Sequence, residues 1–209
     1  MGRYTGPLCK LCRRRGEKLM LKGERCYTTK CSFTRRAYPP GMSGASSVRR
    51  RKLSDYGVRL HEKQKARHCY GIGEKQFRKT FAKAVRQKGM SGDNFIKMLE
   101  SRLDNFVYRV GLASSRQQSR QLVRHGHFMV NNRTANIPSL VLKANDTVQI
   151  KSRSVSLFKS MIDVLSKKKP GLWYSFDPAK NEAVMLRLPE RTEIDIPVSE
   201  QMIVEFYSR

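Results

Sequence analysis

The chain has 209 residues, 39% of them hydrophobic, so it can bury a modest core in one large domain or two small ones but not a single deep one. Forty-three Lys and Arg stand against 17 Asp and Glu, a net charge of +26 that repels itself until a polyanion neutralises it; nucleic acid fits, because each neutralised phosphate releases counterions. No stretch approaches the roughly 18 apolar residues of a membrane-spanning helix. The opening segment has neither the apolar run of a secretory signal nor the Ser or Thr of a myristoylation signal (Gly6 stands there), which argues against a membrane and for the cytosol.

Residues 1–46 read as an irregular arm. Periodic apolar positions are few, and Pro39-Pro40-Gly41 followed by Ser43-Gly44 marks loop. Four of the five cysteines fall here, Cys9 and Cys12 as C-x2-C, Cys26 and Cys31 as C-x4-C. That spacing suits a structural four-thiolate site in which each pair clamps one side of a tetrahedral Zn2+. Four thiolates hold an iron–sulfur cluster equally well, and the spacing leaves both open. With all four positions closed, no site remains for a catalytic metal. A metal would supply much of the folding free energy of so sparse a segment, and Arg13, Arg14, Arg15 and Arg25 would offset the thiolate charge. Cys69, alone at a helix end, reads as a packing residue.

From Leu53 the pattern turns helical, with Leu53, Tyr56 and Leu60 in phase until Tyr70-Gly71-Ile72-Gly73. A second helix is expected over Glu74–Lys88, with Phe77, Phe81 and Val85 on one face and Gly89 closing it. A third starts at Ser91 and carries Phe95, Met98, Leu99, Leu103 and Phe106. A fourth, over about 115–125, opens on the capping box of Ser115 and Gln118 and ends at Gly126. The period then becomes two. Phe128 and Val130, then Val148 and Ile150, alternate with polar neighbours, and Asn131-Asn132 can supply the positive φ angles of a tight hairpin turn. A helix over 156–166 and short strands over 172–176, 183–188 and 193–198 complete the reading. The fold class is α+β: a metal-organised arm (1–46), a helical domain (47–98, joined by the tail 197–209) and a small mixed α/β domain (99–196).

Charge follows these divisions. Residues 1–52 hold 15 basic against 2 acidic groups, residues 53–174 hold 24 against 8, and residues 175–209 hold 4 against 7. The first quarter is the densest candidate for RNA contact, through Arg13–Arg15, Arg35, Arg36, Arg49, Arg50, Arg51 and Lys52. Tyr4, Tyr27, Phe33, Tyr38 and Tyr70 lie near these clusters, where an aromatic can stack on an unpaired base. In the fourth helix, Arg116, Arg120 and Arg124 form one stripe at four-residue steps. No acidic residue lies between Arg109 and Arg133, so pairing within the helix cannot account for the row. The acidic tail suits a protein partner better than a phosphate.

The run from Leu103 through Asp104-Asn105-Phe106-Val107-Tyr108-Arg109-Val110-Gly111, Ser115-Arg116 and Arg120-Gln121-Leu122-Val123-Arg124-His125-Gly126-His127-Phe128-Met129-Val130-Asn131 resembles the small RNA-binding domain named after ribosomal small-subunit protein four. The resemblance continues through Ile137-Pro138-Ser139 to Asn145-Asp146. Asn131-Asn132 and Asn145-Asp146 stand where that family usually has Asn-Gly and often Gly-Asp. The four-cysteine arm, the helical segment and the length are similar to the bacterial ribosomal form, in its zinc-binding branch.

The resemblance implies a structural constituent of the small ribosomal subunit that binds the 5′ domain of small-subunit rRNA directly and nucleates assembly of the subunit body. It further implies a role in translational accuracy with ribosomal small-subunit proteins five and twelve, contact with messenger RNA where it enters the ribosome, and in some members repression of the protein's own messenger. By residue, it implies RNA contacts at Arg102, Arg116, Arg120, Arg124 and His127. Part of the contact with protein five is expected in the tail, at Glu200, Met202, Val204 and Phe206. An enzyme is argued against, since no nucleophile–base motif, P-loop or open metal site is present. A free zinc-dependent regulator lacks a recognition-helix pattern.

Overall fold

The computed structural model of the chain describes residues 3–41, 53–166 and 171–208. They fall into two compact units, residues 1–95 with 196–209, and residues 96–195.

In the first unit, helix α1 (Leu8–Arg15) ends where Gly16 takes the left-handed conformation, φ 74°. A 3-10 turn over Gly23–Cys26 and the single turn α2 (Ser32–Arg35) follow. Leu19 and Leu21 are buried in the arm. Helix α3 (Asp55–Tyr70) is capped by Ser54, whose Oγ accepts from the Gly57 N–H, and it stops at Gly71, φ 62°. Helix α4 (Glu74–Val85) buries Phe77, Thr80, Phe81 and Ala84, an apolar stripe at helical spacing. It ends three residues before the expected Lys88, where the Gln87 N–H turns back to the Ala84 carbonyl. The C-terminal helix α9 (Glu200–Tyr207) packs on α3 and buries Ile203. Phe77 meets Phe95 edge-on at 4.9 Å, and Phe81 packs on Tyr207 at 4.7 Å. The Phe77–Phe95 pair is edge-to-face, a geometry that adds to simple area burial, and the Phe81–Tyr207 pair is tilted.

Helix α5 (Ser91–Glu100) crosses the division between the units. It does not continue through Leu103 and Phe106 as the spacing suggests. Arg102 is extended, φ −69° and ψ 140°, and bridges Val141, while the Leu103 N–H donates to Leu140 and the Leu142 N–H to Ser101. That clasp breaks the helix, and α6 (Leu103–Val110) restarts beyond it. The apolar positions stay in phase across the break, so periodicity alone does not reveal it.

The second unit continues with α7 (Arg116–Arg124), capped by Ser115. Gln118 does not close the box back to Ser115; its Oε1 accepts from the Ser114 N–H at 2.7 Å. Strands β1 (Phe128–Val130), β2 (Arg133–Ala135), β3 (Thr147–Ile150), β4 (Tyr174–Asp177) and β5 (Glu182–Met185) form one antiparallel sheet in the order β2-β1-β3-β5-β4. Asn131 and Asn132 have φ of 47° and 63°, the pair of left-handed residues a two-residue hairpin requires. Helix α8 (Val155–Ser166) buries Phe158 in a core shared with Phe106, Phe128, Val148, Trp173 and Met185. No strand forms over 193–198. Arg191–Glu193 make a 3-10 turn, and Ile194, Ile196 and Val198 are buried at alternate positions of an extended run, which explains the strand-like pattern. The class is α+β, and no helix among the described residues is long and apolar enough to cross a membrane.

Candidate nucleic-acid interface

The arginine stripe on α7 is graded from anchored to open. Arg116 lies over the Tyr108 ring at 4.5 Å, donates from Nε to Asn105 Oδ1 at 2.7 Å, and stands 3.9 Å from Glu100. Arg120 Nη1 is 3.2 Å from Asp104 Oδ2. Arg124 is exposed and has no carboxylate partner among the described residues. The absence of acids within the helix therefore does not leave the row unpaired, because α5 and α6 supply Glu100 and Asp104 from across the helix contact. Both carboxylates are buried, Glu100 completely. Glu100 also holds Arg109 through two bonds of 2.8 Å and accepts from Asn105. The Ser119 hydroxyl ties α7 to the Asp104 carbonyl.

Arg102, expected as an RNA contact, sits beneath the surface. It is 3% exposed and grips Asp104 through Nε at 3.0 Å and Nη2 at 2.7 Å. A guanidinium whose charge is met by a buried carboxylate supports Asp104, and through it Arg120, rather than reaching a phosphate.

Beyond the C-terminus of α7 the cations lie open. His125 is exposed, and His127 Nδ1 lies 2.9 Å from Ser154 Oγ. Burial, then His125, Arg153 and Lys151, hold His127 below the ordinary histidine range. Lys151 and Arg153 escape the sequence reading, although the Lys-Ser-Arg run directly after the strand at Ile150 is the signal that could have found them. Among the described residues no carboxylate pairs with Arg124, His125, Lys151 or Arg153.

In the helical unit the cations of α1 and α3 crowd one another. Burial, then Arg15 and Arg14, lower His61; burial, then Arg67, Arg15 and Lys63, lower His68 to about 4. Arg15 is itself lowered, first by burial and then by Arg14 and Arg67. Arg13 is an internal pin, donating to the Tyr38 and Pro39 carbonyls and stacking on Tyr38 at 4.7 Å. Arg35 and Arg36 are exposed. Arg49, Arg50, Arg51, Lys52 and Lys167–Lys169 lie outside the described residues. Of the aromatics, Tyr27 is open, Tyr4 meets the edge of His68 at 6.0 Å, and Tyr70 is buried.

Cys12, Cys26 and Cys31 are buried and Cys9 half-buried, all as free thiols. Burial raises the Cys12 thiol; a backbone hydrogen bond at Leu19 opposes this, and the charges of Cys26, Cys9 and Cys31 act in the same sense as burial. Burial also acts to raise Cys31, but the Thr34 and Phe33 N–H groups, with the Thr34 hydroxyl, bring it below the ordinary thiol range. The Lys22 N–H approaches Cys26 Sγ at 3.4 Å. The donor chemistry suits a soft ion, yet among the described residues no three such side chains are drawn into a set that could hold a metal. In α9, Phe206 packs on Tyr56 at 5.6 Å, and Met202 lines a shallow pocket with Asp55, Val58, Arg59 and Glu205.

Residues 3–100 match the family described as the ribosomal protein S4/S9 N-terminal domain, and residues 101–148 match the S4 domain. Proteins with the name small ribosomal subunit protein uS4 are similar along their whole length. Those of Syntrophomonas wolfei, Thermus thermophilus and Heliobacterium modesticaldum are 53%, 51% and 50% identical, with 100% of each chain covered. The chain belongs to the uS4 family of small-subunit ribosomal proteins, a family of structural components and not of enzymes.

Proposed function

We propose that the chain is a structural constituent of the small ribosomal subunit that binds small-subunit rRNA directly. The observation that carries this is the cluster of Arg124, His125, His127, Lys151 and Arg153, unpaired with any carboxylate among the described residues, within and just beyond the S4-domain segment of a chain with net charge +26. The anchored part of α7 sets the spacing of the stripe, and its open end meets phosphates. The family resemblance supports the 5′ domain as the RNA, early binding that nucleates the subunit body, and a part in accuracy alongside proteins five and twelve. The acidic, partly apolar surface of α9 around Met202 and Phe206 supports a contact with protein five. Messenger RNA where it enters the ribosome is a further partner on the resemblance alone.

The C-x2-C and C-x4-C pairs, with three of their four thiols buried, support one structural zinc, with an iron–sulfur cluster as the alternative. Cys9, Cys12, Cys26 and Cys31 would hold the ion, which would draw the arm tight; metal analysis of the purified chain and its Cys26→Ser variant tests this. Retention of full metal content by the variant would count against the site. The rRNA reading is tested by affinity for the 5′ domain against unrelated structured RNA of equal length across a salt series. Preference for the 5′ domain that persists at high salt is expected; equal, salt-labile binding to every RNA overturns it.

A further inference from the structure

Helix α4 turns a row of cations away from its own core. Phe77, Thr80, Phe81 and Ala84 occupy its buried face. At 3.6 residues per turn, Lys75, Lys79 and Arg86 stand opposite them, with Arg78 and Lys83 on the two flanks. All five are exposed, as is Lys88 in the turn that follows. The row runs about 16 Å from Lys75 to Arg86. The helix contains one acid, Glu74, which is committed elsewhere: it accepts from Lys63 at 2.8 Å, Arg67 at 3.3 Å and the Tyr207 hydroxyl at 2.8 Å. Among the described residues no carboxylate pairs with any of the six cations. Folding does not account for such a row. Lys75 lies in the first turn, where the helix dipole opposes a positive charge, and Lys75, Lys79 and Lys83 repel one another at four-residue steps. A face that weakens the free chain implies a counter-charge supplied from outside.

Besides the cations, the exposed side chains of α4 are Gln76, Ala82 and, in its last turn, Val85. A membrane-surface helix would set large apolar residues beside its cations. A protein interface is built around aromatic and apolar anchors and is depleted of Lys at its centre. An unpaired base would call for an aromatic to stack on, and this face has none. The phosphate backbone of an RNA helix needs only the charges. We propose that α4 is a further rRNA-binding surface, carried by the helical unit, which lies along the phosphate backbone of a double-helical segment. The proposal rests on the RNA-binding reading. It adds to the cluster beyond α7 a contact that responds to charge and not to sequence.

The full-length chain carrying Lys75→Gln, Lys79→Gln and Lys83→Gln together is compared with the parent for 5′-domain affinity across a salt series. The slope of log affinity against log salt should fall by about 2 to 3, with affinity about tenfold weaker at moderate salt. The melting temperature of the free variant should hold or rise, because repulsion is relieved; residues that served only the fold would lower it. Replacing the same three lysines by Arg keeps the charges and should preserve the affinity. In a second measurement, an amine-reactive reagent labels the lysines of the free chain and of its complex with 5′-domain rRNA, and protection of Lys75, Lys79 and Lys83 in the complex is expected. Unchanged affinity and slope, or equal labelling in both states, overturns the proposal. Protection that appears only in the assembled subunit also overturns it and gives the face to a protein. A parent chain with no preference for the 5′ domain defeats the RNA-binding reading instead, and the loss of slope against any duplex RNA then decides the α4 contact by itself.

Discussion

His68 shows what the charge costs at one position. Burial and three neighbouring cations hold its pKa at about 4, against about 6.5 in an unfolded chain. Between those values the unfolded state binds a proton and the folded state does not. Stability is therefore full above about pH 6.5, falls as the pH drops towards 4, and is flat with respect to this group below that; the loss is on the order of 2 kcal/mol given partial solvent access. Denaturant titrations at pH 7.5 and pH 4.5 should show a smaller difference for His68→Gln than for the parent chain. An equal difference in both would mean that the imidazole titrates normally. Glu100 is the opposite case, a wholly buried carboxylate gripped by Arg109 and close to Arg116. Glu100→Gln keeps the shape and removes the charge, which should lower unfolding free energy by about 3 kcal/mol. A change under about 1 kcal/mol would mean that Asn105 and the aromatic stack suffice without it.

The same pair of carboxylates decides how α7 behaves as a unit. Arg120→Glu would set a second carboxylate beside Asp104 and should cost about 2 kcal/mol of stability, so lost RNA binding in that variant would not report on contact. Arg124→Glu breaks no ion pair among the described residues. It should leave the melting temperature in place, weaken rRNA binding and reduce the salt dependence of log affinity by about 1. Unchanged affinity would remove the end of α7 from the interface. The helix itself was readable in the sequence, since Ser115 and Gly126 punctuate it, and so was the hairpin at Asn131-Asn132. The break at Ser101-Arg102 was hidden, because a strand-like clasp supplied by Leu140 and Leu142 interrupts a helix whose apolar phase never falters. The pairing of Arg120 with Asp104 was hidden for the same reason. Sequence spacing shows neighbours along one helix, whereas this partner arrives through tertiary contact. Arg102 was misplaced because a basic residue in a basic chain looks like surface until its carboxylate is found.

Across the whole molecule the +26 charge makes one prediction of two signs. In the free chain the cations repel, and neighbouring cations add to the lowering that burial imposes on Arg15 and His68. Salt screens that repulsion, with a Debye length of about 10 Å at 0.1 M, so added salt should raise the melting temperature of the isolated protein. Salt also restores the counterions that binding releases, so the same addition should lower affinity for rRNA. A bound RNA stabilises by linkage, about 2.7 kcal/mol at a free concentration 100 times Kd, and in its presence the salt effect on melting should reverse. Thermal melts of the chain with and without 5′-domain rRNA, over one salt series, contain both halves of the test. A melting temperature that ignores salt in the free chain would mean that the internal carboxylates already neutralise the fold.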